Sequence, residues 1–313
     1  VSALSRSVVV DRPGGHRLVQ GPCPTPGPGE VRVRVAAAGL CMSDRELYDG
    51  HRDAAYVRYP VVPGHEWSGT VEAVGEGVDP ALAGRRTVAE GFRFCGACER
   101  CRYGETSLCT AGYDETGFTR SGAFADHVVV PARLLHPLPD EADPRAAALL
   151  EPAAVTAAAV RAGAPEPGER IAVLGAGTLG LLAVQLLAAF SPAELTVIDP
   201  RGERAALALD FGASEARAPQ DAEEVRGRYD LVVETAGAPG TAADACLLAR
   251  RGGRVVLTGA PSAAWSYAVR AFTSRLLDPA PLITHEFPLE RFGDAMALVG
   301  AGGPGTGKVL LRP

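Results

Sequence analysis

The chain is almost without lysine: Lys308 is its only one, and every other basic residue is arginine. Alanine, glycine and proline are plentiful beside arginine, a bias that points to a GC-rich, bacterial genome. The sequence also lacks any basic run or stripe, and its formal net charge is −6. Nucleic acid and acidic membrane surfaces are therefore not expected partners. No uncharged apolar stretch approaches the roughly 20 residues that a membrane span needs. The opening VSALSRSVVV is too short and too polar for a secretory signal, so a cytoplasmic location is expected. The 313 residues, 47% of them hydrophobic, are enough for two domains with cores of their own.

Cysteine is scarce except in one place. Four of the seven fall between Cys95 and Cys109, spaced C-x2-C-x2-C-x7-C. Disulfides fit poorly, because cysteines so close on a tight loop rarely meet the bridge geometry and a cytosolic chain of this size needs no staples. An iron–sulfur cluster is the second reading, but the run does not end as the bacterial ferredoxin pattern does. Zinc is favoured. Four thiolates close a tetrahedral shell, and Gly96 and Gly104 permit the sharp turns of a small lobe. A closed shell braces a loop and leaves no position for chemistry, so an activity has to be sought elsewhere.

A second set of metal-competent residues lies on either side. The alternating run Glu30–Ala36 reads as a strand and leads into GLCMSD, with Cys41, Ser43 and Asp44. GHEWSG brings His65 and Glu66 together before another apolar strand, and Glu151 interrupts the apolar ALLEPAAV. Each has an ordinary explanation: a core thiol, a satisfied polar residue, or a helix-opening acid. Cys41, His65, Glu66 and Glu151 gain weight from occurring together, since such mixed donors suit a catalytic zinc with an open position. Cys23 reads as incidental, Cys246 as a buried helix position, Trp67 as core, and His51 as a loop histidine with a possible substrate role.

From residue 171 the pattern changes to strand, Gly175-x-Gly177-x-x-Gly180, then an apolar helix. In that context the glycines allow the tight turn, the approach of pyrophosphate to backbone, and close helix packing. Thr178 and Leu179 open the helix, whose free N–H groups face the phosphates. The next strand ends at Asp199, an acid placed to bind ribose hydroxyls and repel a 2′-phosphate. NAD is therefore favoured over NADP, although Arg201 and Arg204 moderate the preference. Further strands end near Glu234, Thr235, Ala236, Thr258 and Gly259, expected beside the nicotinamide half.

Taken together, GLCMSD, GHEWSG, the four-cysteine run, LLEPAAVT and LGAGTLG resemble the zinc-dependent medium-chain dehydrogenase/reductase family, the alcohol dehydrogenase superfamily, over essentially the whole chain. The resemblance implies an α/β fold: a GroES-like, mostly-β catalytic domain (1–149 and 280–313, with a zinc lobe at 93–110) and a Rossmann, doubly wound parallel-sheet domain (150–279). It implies a catalytic zinc on Cys41, His65 and one or both of Glu66 and Glu151, and a structural zinc on Cys95, Cys98, Cys101 and Cys109. Ser43 matches the relay hydroxyl and Asp44 the carboxylate that orients the ligand histidine. Glu46 stands where many relatives carry a relay histidine, and Glu151 where alcohol dehydrogenases proper carry cysteine. A carboxylate there is similar to the polyol and threonine dehydrogenase branch.

The implied reaction interconverts a secondary alcohol (polyol, amino polyol or aminocyclitol-like) and its ketone, by hydride transfer to NAD. A homodimer or homotetramer and a place in secondary metabolism are expected. The competing readings are a non-catalytic dinucleotide sensor or scaffold of the same fold and a zinc-free quinone-reductase type; the intact donor set speaks against both. Stretches 214–226 and 262–276 are short for the family, which normally fits a further strand into the latter.

Overall fold

The fold is taken from a computed structural model and is described for residues 4–258, 264–303 and 305–313. Gly259 and residues 260–263, named above, lie outside the described residues. In chain order the strands are β1 (Leu4–Arg12), β2 (Gly15–Pro22), β3 (Glu30–Gly39), β4 (Glu66–Val74), β5 (Arg86–Ala89), β6 (His127–Pro131), β7 (Leu135–Pro137), β8 (Arg170–Leu174), β9 (Glu194–Ile198), β10 (Glu215–Arg217), β11 (Tyr229–Glu234), β12 (Ala249–Leu257), β13 (Ile283–Pro288) and β14 (Lys308–Arg312). The chain divides into two compact units, Val1–Glu151 with Ile283–Pro313, and Pro152–Leu282.

The first unit is mostly β. A seven-stranded sheet runs β13-β14-β3-β4-β5-β7, with β6 also on β3, and every pairing but β13 with β14 is antiparallel. The alternation in β3 buries Val31, Val33 and Val35, which join Trp67, Val71, Phe124, Val128, Phe292 and Met296 in one core. Trp67 is thus a core residue. The β1–β2 hairpin is tied to β6 through Asp126. Its carboxylate accepts the Arg6 backbone N–H at 2.6 Å and the guanidinium Nη2 at 2.7 Å.

The second unit holds a parallel sheet in the order β10-β9-β8-β11-β12. Counted from β8 this is 3-2-1-4-5, the start of the doubly wound dinucleotide-binding order, and the direction of winding reverses between β8 and β11. Among the described residues no sixth strand follows; the helix Trp265–Thr273 comes next. The short stretch 214–226 still forms the edge strand β10 and a 3-10 turn, Pro219–Val225. Cys246, expected to be buried, is exposed. On the helix Thr241–Leu248 only Ala245 and Leu248 are buried, so Cys246 falls on the outer face.

Burial would raise the pKa of Asp126, but its hydrogen bonds to Arg6 hold it below the ordinary aspartate value. A depressed carboxylate contributes stability above its unfolded pKa and loses it as pH falls through the folded one. Asp126→Asn is expected to lower stability by about 1–3 kcal/mol at neutral pH. In urea unfolding the gap from wild type should close below about pH 4.

Candidate metal centre and cofactor site

Helix Met42–Asp49 follows β3 directly, with Cys41 at its N-cap. Three residues into that turn, Asp44 is completely buried. One of its oxygens accepts the Cys41 N–H at 2.9 Å; the other accepts the Gly64 N–H at 3.3 Å and lies 3.4 Å from His65 Nδ1. Gly64 has φ +98°, and a Cβ there would meet the Phe124 backbone N at 2.9 Å, so only glycine lets the chain turn into His65. The imidazole presents Nδ1 to Asp44, which leaves Nε2 for a ligand. Burial opposes the charged ring, yet Asp44 outweighs it and holds the pKa of His65 well above the ordinary value, with Cys41 and Glu151 adding to the effect.

The donor atoms of Cys41, His65 and Glu66 lie within 4.8 Å of one another. Glu66 is 1% exposed, and its Oε2 is paired with the Nζ of Lys308. Ser43 Oγ is 3.4 Å from His65 Nε2. Glu151, in the first turn of helix Leu150–Gly163, is not part of the 4.8 Å group but is close enough to feel its charges. Burial pushes its carboxyl up to about 7 against the opposing pull of His65, with Glu66 and Glu115 raising it further. Thiolate, imidazole and carboxylate fit zinc, and a cation among them would favour the ionised Glu151. Glu46, expected at a relay position, is exposed.

Phe118 lies beside the His65 ring, with centroids 4.8 Å apart, and Arg52 covers Phe118 at 3.8 Å. Arg52 donates to the Tyr113 hydroxyl at 2.8 Å, and that hydroxyl donates to Glu115. No motif marks this polar trio in the sequence. A further group, Cys23, Glu72 and His127, also lies within 4.8 Å. Here Glu72 is held by Arg32 and Arg34, and His127 is bonded to Ser5 and Glu72, so the ion pairs and hydrogen bonds account for it.

The four lobe cysteines gather their sulfurs within 4.8 Å. Cys95 and Cys101 are 3.9 Å apart and Cys98 and Cys109 are 4.0 Å apart, far beyond disulfide length. Sulfurs about 2.3 Å from a tetrahedral zinc are about 3.8 Å from one another, so the set fits that ion. Backbone N–H groups of Ala97 and Cys98 point at Cys95 Sγ and lower its pKa. Those of Thr110 and Cys101 lower that of Cys98 to about 5, whereas burial pushes Cys101 up to about 12. Gly96 and Gly104 take φ +72° and +81°.

In the second unit, Gly175 takes φ +98° after β8, and a Cβ there would meet the Ala236 backbone N at 2.9 Å. A Cβ at Gly180 would collide with the Gly175 carbonyl, whereas one at Gly177 would meet nothing within 4 Å. The loop is thus closed on the sheet side and open at Gly177, the N-cap of helix Thr178–Ala188. Leu179 is half-buried in its first turn. Asp199 is 3% exposed and accepts the N–H groups of Ala176 and Arg201, each at 2.8 Å. It therefore also braces the glycine loop. Burial lowers the pKa of the half-buried Arg204. The Thr235 and Thr258 hydroxyls donate to the carbonyls of Leu174 and Glu234, both at 2.9 Å, and tie the strand ends together. A cleft of about 310 Å³ opens at those ends, lined among others by Gly175, Pro200, Ala222, Arg226 and Thr241.

Two family models match: the alcohol dehydrogenase GroES-like domain over residues 27–140, and the zinc-binding dehydrogenase over 178–287. The chain belongs to the zinc-dependent alcohol dehydrogenase family. It is 33% identical to galactitol 1-phosphate 5-dehydrogenase of Escherichia coli, over 98% of this chain and 100% of the relative. Among solved structures it resembles the E. coli CFT073 alcohol dehydrogenase rspB, complexed with NADH, at 30% identity and a TM-score of 0.90 over 99% of both chains. It also resembles a zinc-binding dehydrogenase of Sinorhizobium meliloti bound to NADP, at 26% identity and a TM-score of 0.91 over 100% of both. These likenesses favour the catalytic reading over that of a sensor or scaffold. In the family member described here, Cys98→Ser is expected to lower zinc content by one per chain and the melting temperature by about 5 °C or more. Metal analysis and calorimetry check both.

Proposed function

We propose that the chain is a zinc-dependent, NAD-preferring dehydrogenase that interconverts a secondary alcohol of the polyol class and its ketone. The observation that carries this reading is the convergence of half-buried Cys41 with buried His65 and Glu66, with Asp44 behind the imidazole. Cys41 and His65 would hold a zinc ion, with Glu151 or Glu66 as the third protein ligand. Bound there, zinc supplies a Lewis acid that lowers the pKa of a substrate hydroxyl, and NAD supplies the hydride acceptor.

The residues themselves do the rest. Asp44 fixes the His65 tautomer and keeps Nε2 directed at the donor group. Ser43, whose Oγ lies 3.4 Å from that nitrogen, would take up the proton that the alcohol loses. Arg52, Tyr113 and Glu115 offer both donors and acceptors near the site, which suits a substrate with several hydroxyls. Galactitol 1-phosphate 5-dehydrogenase, a relative by sequence, is named for a polyol phosphate. Asp199 supports the preference for NAD, since a buried carboxylate disfavours a 2′-phosphate.

The deciding measurement is zinc per chain with NAD-linked turnover on a panel of polyols and amino polyols. Wild type is expected to hold two zinc ions, and Cys41→Ala one, with turnover lost by a factor of about 10³ or more. Full turnover by zinc-depleted Cys41→Ala would sink the reading. Replacing Asp199 by Ser should reduce the ratio of kcat/KM for NAD over NADP by about tenfold or more. That ratio cancels any loosening of the glycine loop common to both cofactors.

A further inference from the structure

The only lysine of the chain is buried against the metal donors. Lys308 opens β14 and is 5% exposed; Glu66 opens β4 and is 1% exposed. Strand β3 runs between them, and its Gly39 pairs with Glu66 on one side and with Leu310 on the other. A Cβ at Gly39 would lie 2.9 Å from Lys308 Cε and would strike Glu66 Oε2 as well. The missing side chain is what lets Lys308 reach across β3 to Glu66.

Neutralising a buried acid would account for an ion pair anywhere. It does not account for a fixed cation beside donors arranged for another cation, where like charges repel strongly in a dry interior. Cys41, Glu66 and Glu151 carry three negative charges when ionised. Zinc matches two of them, and Lys308 matches the third. The charge of Asp44 is taken up separately, by the amides of Cys41 and Gly64 and by the His65 ring.

We propose that Lys308 is a positioning residue of the metal centre: it holds Glu66 Oε2 back from the metal and offsets one negative charge of the donor set. The ion is then held less tightly but remains a stronger acid, and Glu151 is the carboxylate free to reach it. This rests on the zinc dehydrogenase reading. It gives an unusual sign. Damage to a site that merely needs Lys308 for its shape speeds metal loss; removing the restraint slows it, because Glu66 turns to the metal and the repelling charge is gone.

The test compares wild type, Lys308→Met, Glu66→Gln and the double variant. Metal release to excess chelator is followed, together with the visible spectrum of the cobalt-substituted proteins. Spectra are taken as differences from Cys41→Ser, which removes the contribution of the cysteine lobe. Lys308→Met is expected to release metal about tenfold more slowly, show a changed cobalt spectrum, and lose kcat with KM little altered. Glu66→Gln and the double variant should share one cobalt spectrum, because Lys308 shapes the donor set through Glu66, while the double variant should release metal more slowly, because the repelling charge alone is then removed. Wild-type behaviour of Lys308→Met, or faster release from it, overturns the proposal. So does a cobalt spectrum that differs between Glu66→Gln and the double variant, or faster release from the double variant, and that comparison decides the matter even if Lys308→Met does not fold. If wild type takes up metal at the lobe alone, the dehydrogenase reading falls as well. If it takes up two ions and Lys308→Met is indistinguishable, only the role of Lys308 falls.

Discussion

One buried carboxylate organises the candidate metal centre. Asp44 joins the N-cap of the first helix, the turn at Gly64 and the ring of His65, which belong to separate parts of the sheet. A completely buried aspartate is tolerated only where it is paired and hydrogen-bonded. Its partners here are the backbone of one metal-competent residue, the ring of another and the amide just before that ring. Whatever sets the position of Asp44 therefore sets the distance between Cys41 and His65. The antiparallel pairing of β3 with β4 does this, since β3 runs directly into the cysteine turn and β4 begins directly after the histidine.

The two groups of donors differ in kind. The lobe offers four sulfurs gathered within one small group, with left-handed glycines turning the chain between them. All four donors are thiols, and a single kind of donor suits a closed shell. The group around His65 mixes a thiol, an imidazole and carboxylates, and couples them to a hydroxyl and an ammonium. Asymmetry of this sort lets one position differ from the rest, a requirement for chemistry at a metal. The second unit follows a related logic. Asp199 braces the glycine loop through Ala176 while standing just past the end of β9, at the edge where such sheets bind their ligands.

Features written as local spacing were legible in the sequence. The four cysteines, GLCMSD, GHEWSG and the glycine fingerprint each fall within fifteen residues, and the structure gives each the turn or helix start its glycines and capping positions imply. Features that depend on pairing between distant strands were not. Lys308 stood out as the only lysine, but nothing near it in sequence reveals that Gly39 opens a path to Glu66. The trio of Arg52, Tyr113 and Glu115 is likewise assembled by the fold. The exposure of Cys246 is not legible either: only Ala245 and Leu248 of that helix are buried, and composition does not tell which face turns inward.

The scarcity of lysine sharpens the meaning of the one that is present. Arginine carries positive charge everywhere else in the chain, including the partly buried pairs with Asp126 and Glu72. Its guanidinium is planar, wide and suited to bidentate contacts at such places. Beside Glu66 the bare backbone of Gly39 leaves the space that the Lys308 stem occupies, with a point charge at its end. A guanidinium would present several donors where the ion pair offers one carboxylate oxygen. Lysine at this position matches a partner that offers one oxygen and, in the role proposed for it, the single charge that zinc would leave unbalanced in the donor set.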